Sequence, residues 1–288
     1  MRRFLSAIAF LVMLVAVLGA AACGGRFEGE AGDAPSAPDL AANALEALEA
    51  KGSAHFVGDV KTGLGAEGMQ FSVHFEGDAS ATAIDANGSV SIAGQTFRGH
   101  VLVDQHDLFI EFMGQWFHED QGLLEGMAEA RKDHDGQVWD ELATPEGLRR
   151  NFGELFDGDV SEGPVTEGVA TWQFEGKLDA HGVADFARRY DAQLTDRDEE
   201  LLAQTAEASH VLLVVGQDDR LPRRLEFGVH FTAEQLEQMK SLGEGPLGDS
   251  ANFDASLELS DFGKPVEIHP PSEFKPLDAL FEQFFSGL

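Results

Sequence analysis

Strict alternation of apolar and polar residues constrains this chain more than any other feature. In Gln70 to Glu76, Phe71, Val73 and Phe75 alternate with Ser72, His74 and Glu76, the period of a strand with one buried and one wet face. Four other stretches before Phe112 also read as strands: Ala79–Asp85 and Ser89–Ile92 around an Asn87-Gly88 turn, and Thr96–Val103 and Leu108–Phe112 around an Asp104 to Asp107 turn. Asn-Gly supplies the positive φ angles of a two-residue hairpin. With Ser53–Val60 as a shorter first strand, these predict an antiparallel meander and disfavour a parallel α/β fold.

The same period returns after a helical interlude. Ala170–Leu178 places Trp172 and Phe174 on one side, Pro222–Thr232 alternates through Leu225, Phe227, Val229 and Phe231, and Asn252–Asp261 through Phe253, Ala255, Leu257 and Leu259. Ser209–Val215 is a further strand. Helical spacing marks Asp39–Lys51, with Leu40, Ala44, Leu45 and Leu48 on one face and Gly52 as its stop. Thr144-Pro145 opens another helix whose stripe is Leu148, Phe152, Leu155 and Phe156. His181–Ala206 reads as a helical region in which the charges of Asp196 to Glu200 form a solvated face or loop, and a short helix carrying Leu277, Leu280, Phe281 and Phe284 ends the chain. The expected fold is α+β: one strongly curved antiparallel sheet of about nine to eleven strands, a half-barrel, because a sheet so wide curls, with the helices on its concave face.

Before this domain stand Arg2 and Arg3, an apolar run from Phe4 to Leu18, and Ala20-Ala21-Ala22-Cys23, which holds the only cysteine. A basic start, an apolar core and small residues at a cleavage point are the parts of an export signal, and a lone thiol has no internal disulfide partner. The stretch resembles a bacterial lipoprotein signal, in which the cysteine after the cut receives lipid. The expected organisation is a signal peptide over 1–22, a Gly/Ala/acid/Pro tether over 23–38 and a domain over 39–288, held on the extracytoplasmic side of a membrane through lipidated Cys23.

A formal charge of −31 repels nucleic acid and anionic headgroups, so neither is an expected partner. With 22 Phe against 1 Tyr and 3 Trp, the chain favours ring surface that asks for no hydrogen bond, which suits a large core and a greasy cavity equally. The 10 histidines show no i, i+4 helical pair and no local cysteine, so neither a metal site nor a cofactor is expected. There is no Gly-x-Ser-x-Gly elbow and no phosphate-binding glycine loop. Among 51 acids chance pairs such as Glu111 with Glu119 carry no weight, and no catalytic residue is assigned.

Lys51-Gly52-Ser53-Ala54-His55-Phe56, Asp107-Leu108-Phe109-Ile110 leading to Gly114-Gln115-Trp116, and Leu257 to Ile268 followed by Pro270-Pro271 resemble the LppX/LprG-type lipoproteins of actinobacterial envelopes. The resemblance implies a fold related to LolA and LolB, a cavity for acyl chains, a lipid or lipoglycan ligand, and an envelope transporter as a possible partner. On that reading Phe71, Val73, Phe75, Val101, Trp172, Phe174, Phe227 and Val229 line the cavity. The alternative is a structural lipoprotein whose filled core leaves only its acidic exterior to recruit another envelope protein.

Overall fold

The computed structural model describes residues 34–64, 69–104, 107–120, 142–190, 193–241 and 251–279. The signal segment, Cys23, most of the tether and the helix expected around Phe281 and Phe284 lie outside them.

The first helix, α1 (Ala37–Lys51), starts and stops on local chemistry. The Ser36 hydroxyl accepts from the Asp39 amide at 3.3 Å, Pro38 occupies the first turn, and Gly52 at φ 77° donates its amide to the Leu48 carbonyl. The chain then enters a single sheet: β1 (Ser53–Leu64), β2 (Met69–Ser80), β3 (Ala83–Ile92), β4 (Gln95–Asp104), β5 (Asp107–Phe112) and β6 (Gln115–Asp120). After α2 (Pro145–Leu155) come β7 (Phe156–Glu162), β8 (Thr171–Leu178), α3 (Ala180–Arg189), α4 (Asp196–Glu207), β9 (Ser209–Gly216), β10 (Pro222–His230), α5 (Ala233–Ser241), β11 (Ala251–Ser260) and the short β12 (Lys275–Pro276).

The strand order is β12-β6-β5-β4-β3-β2-β1-β11-β10-β9-β8-β7 in one curved 12-stranded sheet. All pairings are antiparallel except that of β12 with β6. β1 is therefore central. It has the local hairpin partner β2 on one side and β11, from the far end of the chain, on the other. Helix α1 touches β1 and β7 to β10, and α2 packs across α1 while its Phe152 and Leu155 reach the same sheet core. Alanines allow this: Ala41 and Ala44 join Leu40 and the β8 to β11 core, while Ala42 and Leu45 meet Leu148 of α2. Arg149 of α2 clamps the pair from outside through Asp39 at 3.2 Å and Glu46 at 3.1 Å.

Of the two expected hairpin turns, the one from Asp104 to Asp107 falls where the sequence puts it, with those two residues paired, and the other does not. Asn87 and Gly88 lie inside β3, opposite Glu76 and Phe75 of β2. The chain reverses earlier, where the Ser80 hydroxyl accepts from the Ala83 amide at 3.1 Å, so the expected strand Ala79–Asp85 spans that turn. The β3–β4 and β5–β6 reversals use Ala93-Gly94 (φ 50° and 80°) and Met113-Gly114 (φ 53° and 78°), the positive-φ pairs of type I′ hairpins. β6 and β7 were not expected as strands, and neither was α5 as a helix. His181–Ala206 divides into two helices, and Asp196 to Glu200 forms the first turn of α4, fixed by a Thr195/Asp198 capping box.

Candidate ligand-binding face

Register alone puts the residues expected to line a cavity on one face. A single row of Cα partners runs Phe174, Leu213, Leu225, Leu257, Gly58, Phe75, Gly88, Gly99 and Phe112, crossing from β8 to β5. Phe227 and Val73 share the next row through Ala255 and Val60, while Val229 and Phe71 share another through Phe253 and Thr62. Val101 joins through Ala86 and Gly77.

Burial then divides this face into two regions. Phe174 (0%), Phe227 (5%) and Val229 (4%) are closed over in the core beneath the helices, with Trp172 half-buried against them. Phe174 has its place because Gly158 and Gly176 are bare: a Cβ on Gly176 would come within 2.6 Å of its ring. Phe71, Val73, Phe75 and Val101 are all half-buried on the β2 to β4 side, away from the strands that α1 covers.

On that side the face is shaped as a trough. The Phe75 ring lies over Gly58, where a Cβ would come within 2.1 Å of it, and meets Phe56 at 5.9 Å between centroids. Beyond it the floor is Gly88 and Gly99, directly paired. Among the described residues, a Cβ on Gly88 would meet within 4 Å only the His74 carbonyl and the Phe75 Cβ, and one on Gly99 only the Glu111 carbonyl, so no side-chain atom beyond the Phe75 Cβ comes that close to either. Val90 and Phe97, an opposed pair, bound one flank, Ala86 and Val101 bound the other, and Phe112 stacks on Phe97 at 6.2 Å. Ile92 (42%) and Phe97 (37%) leave the end of the trough exposed. Sequence reading did not single out Gly88, Gly99, Val90, Phe97 or Phe112. The Asn87-Gly88 dipeptide carries the signature of a turn, which hides the floor.

The opposite face, which also buries the apolar pair Leu102 and Phe109, carries imidazole–carboxylate pairs between strands: His55 with Asp78 at 3.0 Å, His74 with Asp59 at 3.2 Å, His100 with Asp85 at 2.6 Å, His118 with Asp107 at 2.9 Å and His230 with Asp254 at 2.6 Å. At the last of these His210 also approaches. No helical spacing could reveal such contacts, since each joins separate strands. Over the helices, burial and the nearby Glu46 and Glu146 push the Glu49 carboxyl up from its ordinary value.

Topology and faces together define an α+β protein: one open, curved antiparallel sheet with helices seated on its hollow side. No family model matches the chain, and no curated protein matches it. Similar solved structures include LprF from Mycobacterium bovis, at 14% identity and TM-score 0.41 over 84% of this chain and 100% of that one. MucB in complex with MucA(peri) aligns at 13% identity and TM-score 0.33, over 84% of this chain and 62% of its own, so the chain spans less than two thirds of MucB. A putative outer membrane lipoprotein-sorting protein domain from Vibrio parahaemolyticus aligns at 7% identity and TM-score 0.23 over 80% and 93%. Among the described residues no helix is long and apolar enough to cross a membrane.

Proposed function

We propose that this protein is a non-catalytic envelope lipoprotein, anchored through lipidated Cys23, that holds acyl chains of a lipid or lipoglycan in the trough of β2 to β5 and hands them on. The observation carrying this reading is the bare Gly88–Gly99 floor between apolar flanks, beside a helix-covered core that is already filled. A hydrocarbon chain laid there exchanges one apolar environment for another. About 0.8 kcal/mol per methylene is conserved in the exchange rather than lost to water. Glycine floors suit a flexible chain because they remove side chains without breaking the backbone pairing.

The test is uptake of a fluorescent long-chain fatty acid by the mature protein, with lipid extraction of the protein as purified. Saturable one-to-one uptake is expected, and Gly88→Val, which raises the floor with a residue that strands favour, reduces it at least about tenfold while the far-UV circular dichroism is kept, a loss of roughly 1.4 kcal/mol. A folded protein that carries no lipid and takes up no probe overturns the reading.

A further inference from the structure

We propose that His210, His230 and Asp254 form a binding site for a divalent transition-metal ion of the Zn²⁺ class on the outer, polar face of β9, β10 and β11. The donors come from three adjacent strands, and their ligand atoms all lie within 4.8 Å of one another. Register explains the meeting. Gly228 of β10 is the direct partner of both His210 on β9 and Asp254 on β11, so the three positions form one row whose centre has no side chain. The His210 ring extends into that vacant centre: a Cβ on Gly228 would come within 1.9 Å of its Cε1 atom. His230, two residues along β10 on the same face, completes the group, with its ring 5.4 Å from that of His210 and its Nε2 2.6 Å from Asp254 Oδ1.

The donor set selects the ion. Two imidazole nitrogens and one carboxylate suit Zn²⁺ and its neighbours, whereas Ca²⁺ and Mg²⁺ take oxygen. Bonds of about 2.0 to 2.2 Å require the donors to close by roughly an ångström, which the exposed imidazoles can do by rotating about their side-chain torsions. Coordination positions facing solvent are left to water. The other imidazole–carboxylate pairs of this face have a single imidazole each, and among the described residues no other group of this kind is found. A cation here ties together three strands on the face opposite the helices.

The test is calorimetric titration of Zn²⁺ into the full chain in detergent, stripped by chelator and held in excess Ca²⁺ to saturate the many surface acids. One equivalent should bind. His210→Ala and His230→Ala should each weaken it by more than about tenfold, the loss that follows removal even of an outer-shell partner, while His74→Ala, at an ordinary pair, leaves it unchanged. Gly228→Ala keeps every donor but takes the space of the His210 ring, and should weaken binding as the ligand variants do. Circular dichroism checks that each variant is folded. Weak binding that Ca²⁺ displaces, or one-equivalent binding that survives His210→Ala with His230→Ala, overturns the proposal.

Discussion

Adjacent residues on opposite faces give the sharpest test of the register, and Phe75 and His74 are such a pair. Phe75 is half-buried over Gly58 and touches Phe56. Full burial of a Phe side chain is worth about 1.5–3 kcal/mol, so half-burial supplies roughly 1–1.5, and the contact between rings adds about 0.5–1. Placing a carboxylate among those apolar neighbours costs about 1–2 more, so Phe75→Asp should destabilise the fold by roughly 3 kcal/mol. His74 is exposed, and its Nδ1 meets Oδ1 of the half-exposed Asp59 at 3.2 Å. His74→Gln removes that contact without setting a second carboxylate opposite Asp59, at a cost below about 0.5 kcal/mol. Urea unfolding measures both: with a slope of about 2–3 kcal/mol/M, Phe75→Asp lowers the midpoint by about 1 M and His74→Gln leaves it nearly unchanged. Equal losses, or a larger loss at His74, would refute the face assignment, because a slip of one residue exchanges the two sides of a strand.

Other expectations concern the filled region and the helices. Phe174→Ala should cost about 3–5 kcal/mol, more than Phe75→Ala, because Phe174 is fully buried against Phe152 at 5.1 Å; similar melting losses for the two would count against the division of the face. Glu49→Gln should raise the melting temperature at neutral pH. Burial and then Glu46 and Glu146 raise the carboxyl's pKa in the folded state, so its ionised form weakens the fold above that value and protonation relieves the penalty as pH falls. The advantage of Glu49→Gln must therefore shrink on acidification, and one that stays constant with pH excludes this origin.

Period-two spacing made the faces legible before any coordinate, because side-chain parity in a strand is fixed by the backbone: Phe71, Val73 and Phe75 stand together with Phe227 and Val229. Helix ends at Gly52 and Thr144 are equally readable, each being a local hydrogen-bonding event, whereas the first helix starts at its Ser36 cap, ahead of the expected Asp39. What escaped depended on neighbours distant in sequence. β7, with Asp157, Asp159 and Glu162, looks like a loop because an outermost strand carries charge that discourages further pairing. Gly88 looks like a turn until Phe75 and Gly99 are seen on either side. His210 and Asp254 become neighbours only through Gly228.

The seam between β1 and β11, from His55 with Ser260 to Leu64 with Ala251, sets an order of events for the growing chain. β1 to β5 can assemble by successive short hairpins as they are synthesised, yet one edge of β1 stays open until residues 251–260 arrive, and a pairing so distant in sequence forms slowly. Until then the nascent half-sheet presents an unpaired strand, a template for misassembly between copies. A chain stopped before Ala251 thus loses more than a terminal strand: it leaves two partial sheets with nothing between them to join.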